Sequence, residues 1–202
     1  MQVDPTRFNP LNVADTCSIW NVLSSKLLYA RAIASRCFFS CTEFVRYECL
    51  SKKRKYVLPE DQELQSRLRK EMVNGQFRSY GVDLEDLQDV GILQSRKRLS
   101  LGELSSIAFA RKTQQAFMTD DQKARRLAEE VMQPDQVQTT PHLFGWMLFT
   151  GGLQDSDKDE VIKEHAAMKR PLAKLFEQMY LWALQQRLKS NLSSTPQATG
   201  AE

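Results

Sequence analysis

Two short apolar runs, each ended by carboxylates, constrain this chain more than any other feature. Leu11–Ala14 stops at Asp15 and Thr16, and residues 115–118 (QAFM) stop at Thr119, Asp120 and Asp121. Both runs have strand length, and each is followed by helical periodicity: Ile19, Trp20, Leu23, Leu27 and Leu28 after the first, residues 124–131 after the second. A chain that alternates strands and helices in this way builds a parallel sheet with helices on its faces. The carboxyl ends of such strands border the crevice where ligands bind, so acids just past a strand point at a site. Thr119, Asp120 or Asp121 also suits as N-cap of a helix starting near Gln122, and the pair alone favours the cap; what points to a site lies far upstream.

The rest of the chain supplies further elements of the same kind. The first helix is expected to run to about Ala34, followed by a strand over 37–39 and a helix capped by Ser40 or Thr42. Phe44, Val45 and Tyr47 wrap around that helix, so one of Glu43 and Glu48 faces inward and the other water; spacing does not choose between them. Residues 51–55, SKKRK, read as a solvated helix end or as the flank of a nucleic-acid groove. Pro59 opens a polar helix to about Asn74 with a thin stripe of Leu64, Leu68 and Met72, stopped by Gly75. Residues 77–82 are a strand or a loop, and 84–94 a helix. A second basic cluster, Arg96, Lys97 and Arg98, precedes Gly102 and Glu103, which open a helix with Leu104, Ile107, Ala108 and Ala110 on its apolar positions. Beyond Val131 come a short strand over 137–139, a helix over 141–150 ended by Gly151 and Gly152, and helices over 155–168 and 172–188 broken at Pro171. His142 reads as a packing or capping residue. Residues 190–202, with almost no large apolar side chain, are expected to be disordered.

Composition excludes several classes. Lys plus Arg number 28 against 25 Asp plus Glu, a net charge of +3, so nucleic-acid binding has to come from local patches. No apolar run approaches the roughly 18 residues of a spanning helix, and the chain does not begin like a secretory leader, which gives an expectation of a cytoplasmic protein without a membrane partner. Cys17, Cys37, Cys41 and Cys49 lack paired spacing and sit in or beside apolar segments, as reduced core thiols do. A zinc site of Cys37, Cys41 and Cys49 is disfavoured, since His142 and His165 are the only histidines and both are remote.

In order along the chain, VADTCSIWNVL, FVRYECL, LGELSSIAFA and AFMTDDQKARRLA resemble the four acidic motifs of the PIN-domain family of metal-dependent ribonucleases. The resemblance covers roughly residues 10–152, and four weak motifs in the right order carry more than any one. The third and fourth look most like the subgroup in which a Gly-Glu turn replaces an Asp. It implies an α/β fold, a PIN-like parallel sheet flanked by helices with additional C-terminal helices. The organisation becomes a PIN-like domain over 1–152 with a helical insertion over about 52–99, a C-terminal helical extension over 153–189, and a tail. Carried over, Asp15, Glu48, Glu103 and one of Asp120 and Asp121 would be catalytic ligands of Mg²⁺ or Mn²⁺, with Glu43 as reserve for Glu48. RNA would be the substrate, and an antitoxin or other protein partner and a homo-oligomer are further expectations of the family.

The chemistry suits the residue types. Phosphodiester hydrolysis needs an activated water and stabilised phosphate charge, which hard cations held by carboxylate oxygens supply. Thr16 or Thr119 would orient a ligand, and Arg96, Lys97, Arg98, Arg125 and Arg126 would hold RNA phosphates. An aspartyl phosphotransferase would want an acid at position 17, where Cys17 stands, and a receiver domain would want its acid pair near the first strand. The serious rival is a non-catalytic module whose acids are caps and which binds RNA or a protein without cleaving it.

Overall fold

A computed structural model describes residues 4–83, 85–88 and 99–193. Five parallel strands form one sheet in the order β3-β2-β1-β4-β5, with β1 Leu11–Ala14, β2 Phe38–Thr42, β3 Phe77–Tyr80, β4 Ala116–Met118 and β5 Val137–Gln138. The helices between them are α1 Thr16–Ser24, α2 Lys26–Ala34, α3 Glu43–Leu50, α4 Pro59–Val73, α5 Leu101–Thr113 and α6 Gln122–Val131. Three more follow β5: α7 Thr140–Phe149, α8 Lys158–Ala167 and α9 Ala173–Ser193. The α/β class with an all-parallel, helix-flanked sheet is the one the sequence implies.

Strand alternation divides the core between the two faces of the sheet. Val13 and Phe117 point to one side, where they meet Leu104, Ile107 and Ala110 of α5 and Ala124, Leu127 and Ala128 of α6. Ala14, Phe39, Cys41 and Met118 point to the other, against Ile19, Leu23, Leu28, Leu64, Leu68, Phe144 and Phe176. Asn12 is a buried polar residue in the middle strand, and its side chain is satisfied: it donates to the Asn9 carbonyl at 2.9 Å and accepts from Gln138 Nε2 at 2.6 Å. That pairing ties β1 to β5 across β4.

Four readings of the sequence change. The helix expected to reach Ala34 is two helices, because Ser25 is extended, caps α2 by accepting from Leu28 N at 3.0 Å, and donates to Glu164 of α8 at 2.6 Å. Residues 52–99 are more than a helical insertion. Within them Phe77–Tyr80 pairs with β2 as the edge strand, its buried Phe77 stacked on Phe39 at 5.9 Å. The C-terminal helices are bound into the main core by Phe176, Met179 and Ala183, and α9 continues through Ser193, four residues into the stretch expected to be disordered. Finally, Cys37, Cys41 and Cys49 are buried free thiols, whereas Cys17 is exposed. The helix expected over 84–94 falls largely outside the described residues, as do Arg96, Lys97 and Arg98. Among the described residues no helix is long and apolar enough to cross a membrane.

Candidate functional site

The strand order locates the crevice before any side chain is considered. From β1 the chain moves outward through β2 and β3, then returns to β4 on the opposite side of β1, so the connections diverge between the carboxyl ends of β1 and β4. The β1–β4 register pairs Val13 with Phe117 and Ala14 with Met118. Asp15 and Thr119, one residue further along each strand, therefore meet at that switch point.

Asp15 is 1% exposed and caps α1. One carboxylate oxygen accepts from Ser18 N at 2.8 Å and Ser18 Oγ at 2.7 Å, and the other accepts from Thr119 Oγ1 at 2.5 Å. Burial pushes its carboxyl up to about 7; the Ser18 and Thr119 hydrogen bonds pull the other way, and the charge of Asp120 adds to the rise. The backbone holds the pair together, since Asp15 N donates to the Met118 carbonyl at 3.2 Å and Ser18 Oγ to the same carbonyl at 2.6 Å.

The acid pair after β4 splits its roles. Asp121 is the N-cap of α6, accepting from Lys123 N at 2.7 Å and Ala124 N at 3.0 Å. Asp120 turns back toward α1 and α7: it accepts from Thr140 N at 2.9 Å, Thr140 Oγ1 at 2.5 Å and Asn21 Nδ2 at 2.8 Å. Its carboxyl is raised, chiefly by desolvation and against those hydrogen bonds, with Arg125 a minor favourable charge. Asp121 thus takes the cap role, while Asp120 ties the turn after β4 to α1 and α7.

Glu48 and Glu103 enter from the other side. Glu48, in the last turn of α3, accepts from Thr16 Oγ1 at 2.7 Å, one residue past Asp15. Its carboxylate lies against Gly102, where a Cβ would fall 2.6 Å from Oε2 and 2.9 Å from Cδ. Glu103 completes a capping box with Ser100, its carboxylate accepting from Ser100 N at 2.7 Å. Desolvation raises the Glu103 carboxyl, and the charges of Asp121 and Glu48 raise it further. Glu43 borders the cleft beside Glu48 but is engaged away from the acids: it accepts from Arg46 Nε at 2.7 Å and Ser79 Oγ at 2.5 Å, and those hydrogen bonds lower its carboxyl.

Cys17 lies beside the aspartates of β1 and β4. Although the residue is exposed as a whole, its thiol is pushed up to about 12, by desolvation first and then by the charges of Asp15 and Asp120, with Arg170 opposing. Arg125 is half-buried and Arg126 exposed. His142 is no part of the site; its Nε2 lies 2.9 Å from the Asp4 carbonyl and 2.6 Å from that of Arg7, fixing the start of the chain.

Five carboxylates of hard oxygen donors, three of them with raised carboxyls, have the chemistry of a divalent-cation site. Their arrangement is not that of a closed ligand set: among the described residues no three Asp, Glu, His or Cys side chains are grouped to hold one ion. Both oxygens of Asp15 and of Asp120 are already turned to donors. Sequence reasoning missed Ser18, Asn21 and Thr140 as their partners. The signal available was small: Asn21 is a polar residue between Trp20 and Leu23 in an otherwise apolar stretch of α1, and Thr140 follows the last strand.

No family model matches the chain, and no curated protein matches it.

Proposed function

We propose that the crevice at the ends of β1 and β4 is a nuclease site, and that the chain is a Mg²⁺- or Mn²⁺-dependent ribonuclease of the PIN type. One observation supports the reading: Asp15, Glu48, Glu103, Asp120 and Asp121, from four stretches of sequence, lie about the topological switch point, with the charge of Asp120 acting on Asp15 and those of Asp121 and Glu48 acting on Glu103. Asp15, Glu103 and Asp121 also cap helices and Asp120 braces α1 against α7, but gathering like charges costs stability that caps alone would not require. Asp15, Glu48, Glu103 and Asp121 are the candidate ligands; as they stand no three are grouped about one ion among the described residues, so binding would have to draw them together, and the cation would supply an activated water and neutralise charge on the scissile phosphate.

The chain's own residues prepare the site. Thr16 and Thr119 orient Glu48 and Asp15 from the two sides of the crevice. Asp120 braces the entry to α7 through Thr140 and the middle of α1 through Asn21, which makes it a positioning residue. Arg125, near Asp120, is the cation best placed for a substrate phosphate.

A second reading has its own observation. Saturation of Asp15 and Asp120 by hydrogen bonds suits a non-catalytic module in which the acids are caps and braces. Protein stripped of metal and incubated with labelled RNA, with and without Mn²⁺, separates the two. Cleavage that needs Mn²⁺ and disappears in Asp15→Asn, with the fold retained, supports the nuclease; no cleavage under either condition supports the module.

A further inference from the structure

We infer that the cleft beside Glu48 is a binding subsite for one unpaired base of a single-stranded RNA, with Tyr47 as its stacking platform. This rests on the nuclease reading for its orientation but not for its chemistry. Phe44, Tyr47 and Glu48 recur on one side of α3 at the spacing of a helical face, and that side looks onto Ser100 and Leu101 at the start of α5. Together with Glu43 and Lys52 they line a cleft of about 640 Å³ whose wall is mostly apolar. Tyr47 is 57% exposed and Leu101 51% exposed, so two large side chains at the mouth are left wet.

Three features select the occupant. The cleft shares Glu48 with the carboxylate crevice, so whatever fills it abuts the phosphate position of the proposed reaction. Lys52 lines it and opens the run Lys52, Lys53, Arg54, Lys55, of which only Arg54 has an acidic partner among the ion pairs of the described residues, Asp61 at 3.6 Å. Tyr56, 79% exposed, continues that run with the Lys55 ammonium 5.8 Å from its ring centre. Aromatic faces interleaved with cations are what an unpaired strand needs: each base has a π-face, and each phosphate a charge. A duplex hides its bases and has no use for such a slot. The two Lys52–Tyr47 and Ser51–Tyr47 backbone hydrogen bonds, 2.8 and 2.9 Å, fix the end of α3 and hence the start of the basic run relative to the platform.

The test measures binding in EDTA, so that it does not depend on cleavage. A fluorescein-labelled single-stranded RNA is titrated with the full chain, alongside the same strand annealed to its complement. Wild type is expected to prefer the single strand. Tyr47→Ala should weaken single-strand binding about tenfold and Tyr47→Phe should restore it, while Lys52→Ala should lower the salt slope by about one phosphate contact. The duplex should respond to Lys52→Ala but not to Tyr47→Ala. Equal binding by wild type and Tyr47→Ala overturns the subsite, as does loss in Tyr47→Phe equal to that in Tyr47→Ala. Failure of wild type to bind any single strand overturns it in favour of an apolar protein segment as occupant. Should wild type cut no RNA with Mn²⁺ while Tyr47→Ala weakens single-strand binding, the nuclease assignment fails and the subsite stands.

Discussion

The carboxylate of Glu48 occupies the space that a Cβ on residue 102 would fill, 2.6 Å from its Oε2. Gly102 lies inside the first turn of α5, where glycine costs helix stability relative to alanine, by about 1 kcal/mol. Its backbone is not left-handed, so conformational freedom does not explain it. Close approach does: the missing side chain lets an acid from α3 reach the end of the sheet and meet Thr16.

Gly102→Ala is therefore expected to separate stability from the site. The alanine gains about 1 kcal/mol of helix propensity, and the displaced Glu48 loses its hydrogen bond from Thr16, worth a similar amount. Melting in EDTA should change by only a few degrees, roughly what 1 kcal/mol moves in a domain of this size. Any increase in melting temperature given by Mn²⁺ in wild type should be lost. An unchanged Mn²⁺ increment in Gly102→Ala would mean that Glu48 need not stand where it does.

Asp15 predicts a pH dependence of stability. Its carboxyl is held at about 7 in the folded protein against 3.8 for an ordinary aspartate. Folding thus takes up a proton between these values; the contribution is full below the lower one and is lost as pH rises through the upper one. The ceiling is roughly 4 kcal/mol, from about 3 pH units at about 1.36 kcal/mol each. The raised carboxyls of Glu103 and Asp120 act in the same direction. Denaturant unfolding of metal-free protein should show stability falling from acid toward neutral pH, and Asp15→Asn should flatten that slope. A wild type that gains stability over this range would contradict the environment described for Asp15.

Much of this was legible because the local signals agree with the fold. β1 was bounded correctly from four residues because a buried parallel strand reads as an apolar run, and Asp15 and Thr119 marked its end and that of β4. What escaped depends on residues far apart in sequence. The break at Ser25 is made by Glu164, 139 residues away, so helical periodicity runs straight through it. β3 is short and half-exposed, and only pairing with β2 distinguishes FRSY from a loop. Glu43 and Glu48 could not be separated because both lie one helical step from apolar positions; the decision comes from Gly102 and Thr16 for one, and from Ser79 and Arg46 for the other.

The acid pair makes a prediction about caps. Asp121→Ala removes the acceptor for Lys123 N and Ala124 N and should cost about 0.5–2 kcal/mol, while Asp121→Asn, itself a good cap, should cost little. Asp120→Ala should cost more than Asp121→Ala, because it leaves Asn21 and Thr140 without their acceptor at about 1–3 kcal/mol for each donor that stays buried. Urea midpoints for the three variants check the order, and Asp121→Ala as the worst of them would reverse the assignment of cap and brace.

Glu48→Gln and Glu43→Gln form the last comparison. Both remove one negative charge from the same helix, so any effect on helix charge or on overall steering is nearly matched. Glu48 shares its neighbourhood with Glu103 and Asp121, and its Oε2 accepts from Thr16; a glutamine there keeps a carbonyl oxygen for Thr16 but removes the charge that a cation would meet. Glu43 pairs with Arg46 and Ser79 on the flank of β3, and its loss should cost at most the roughly 0.5 kcal/mol of an exposed helical ion pair. Mn²⁺-dependent cleavage should fall by two or more orders of magnitude in Glu48→Gln, as losing a ligand implies, an estimate on the scale of about 10–100-fold for weaker supporting groups. Glu43→Gln should cut as wild type does. If the two variants lose activity equally, α3 contributes through its charge alone and Glu48 is not a ligand. If neither loses it, the acids of β1 and β4 work without α3.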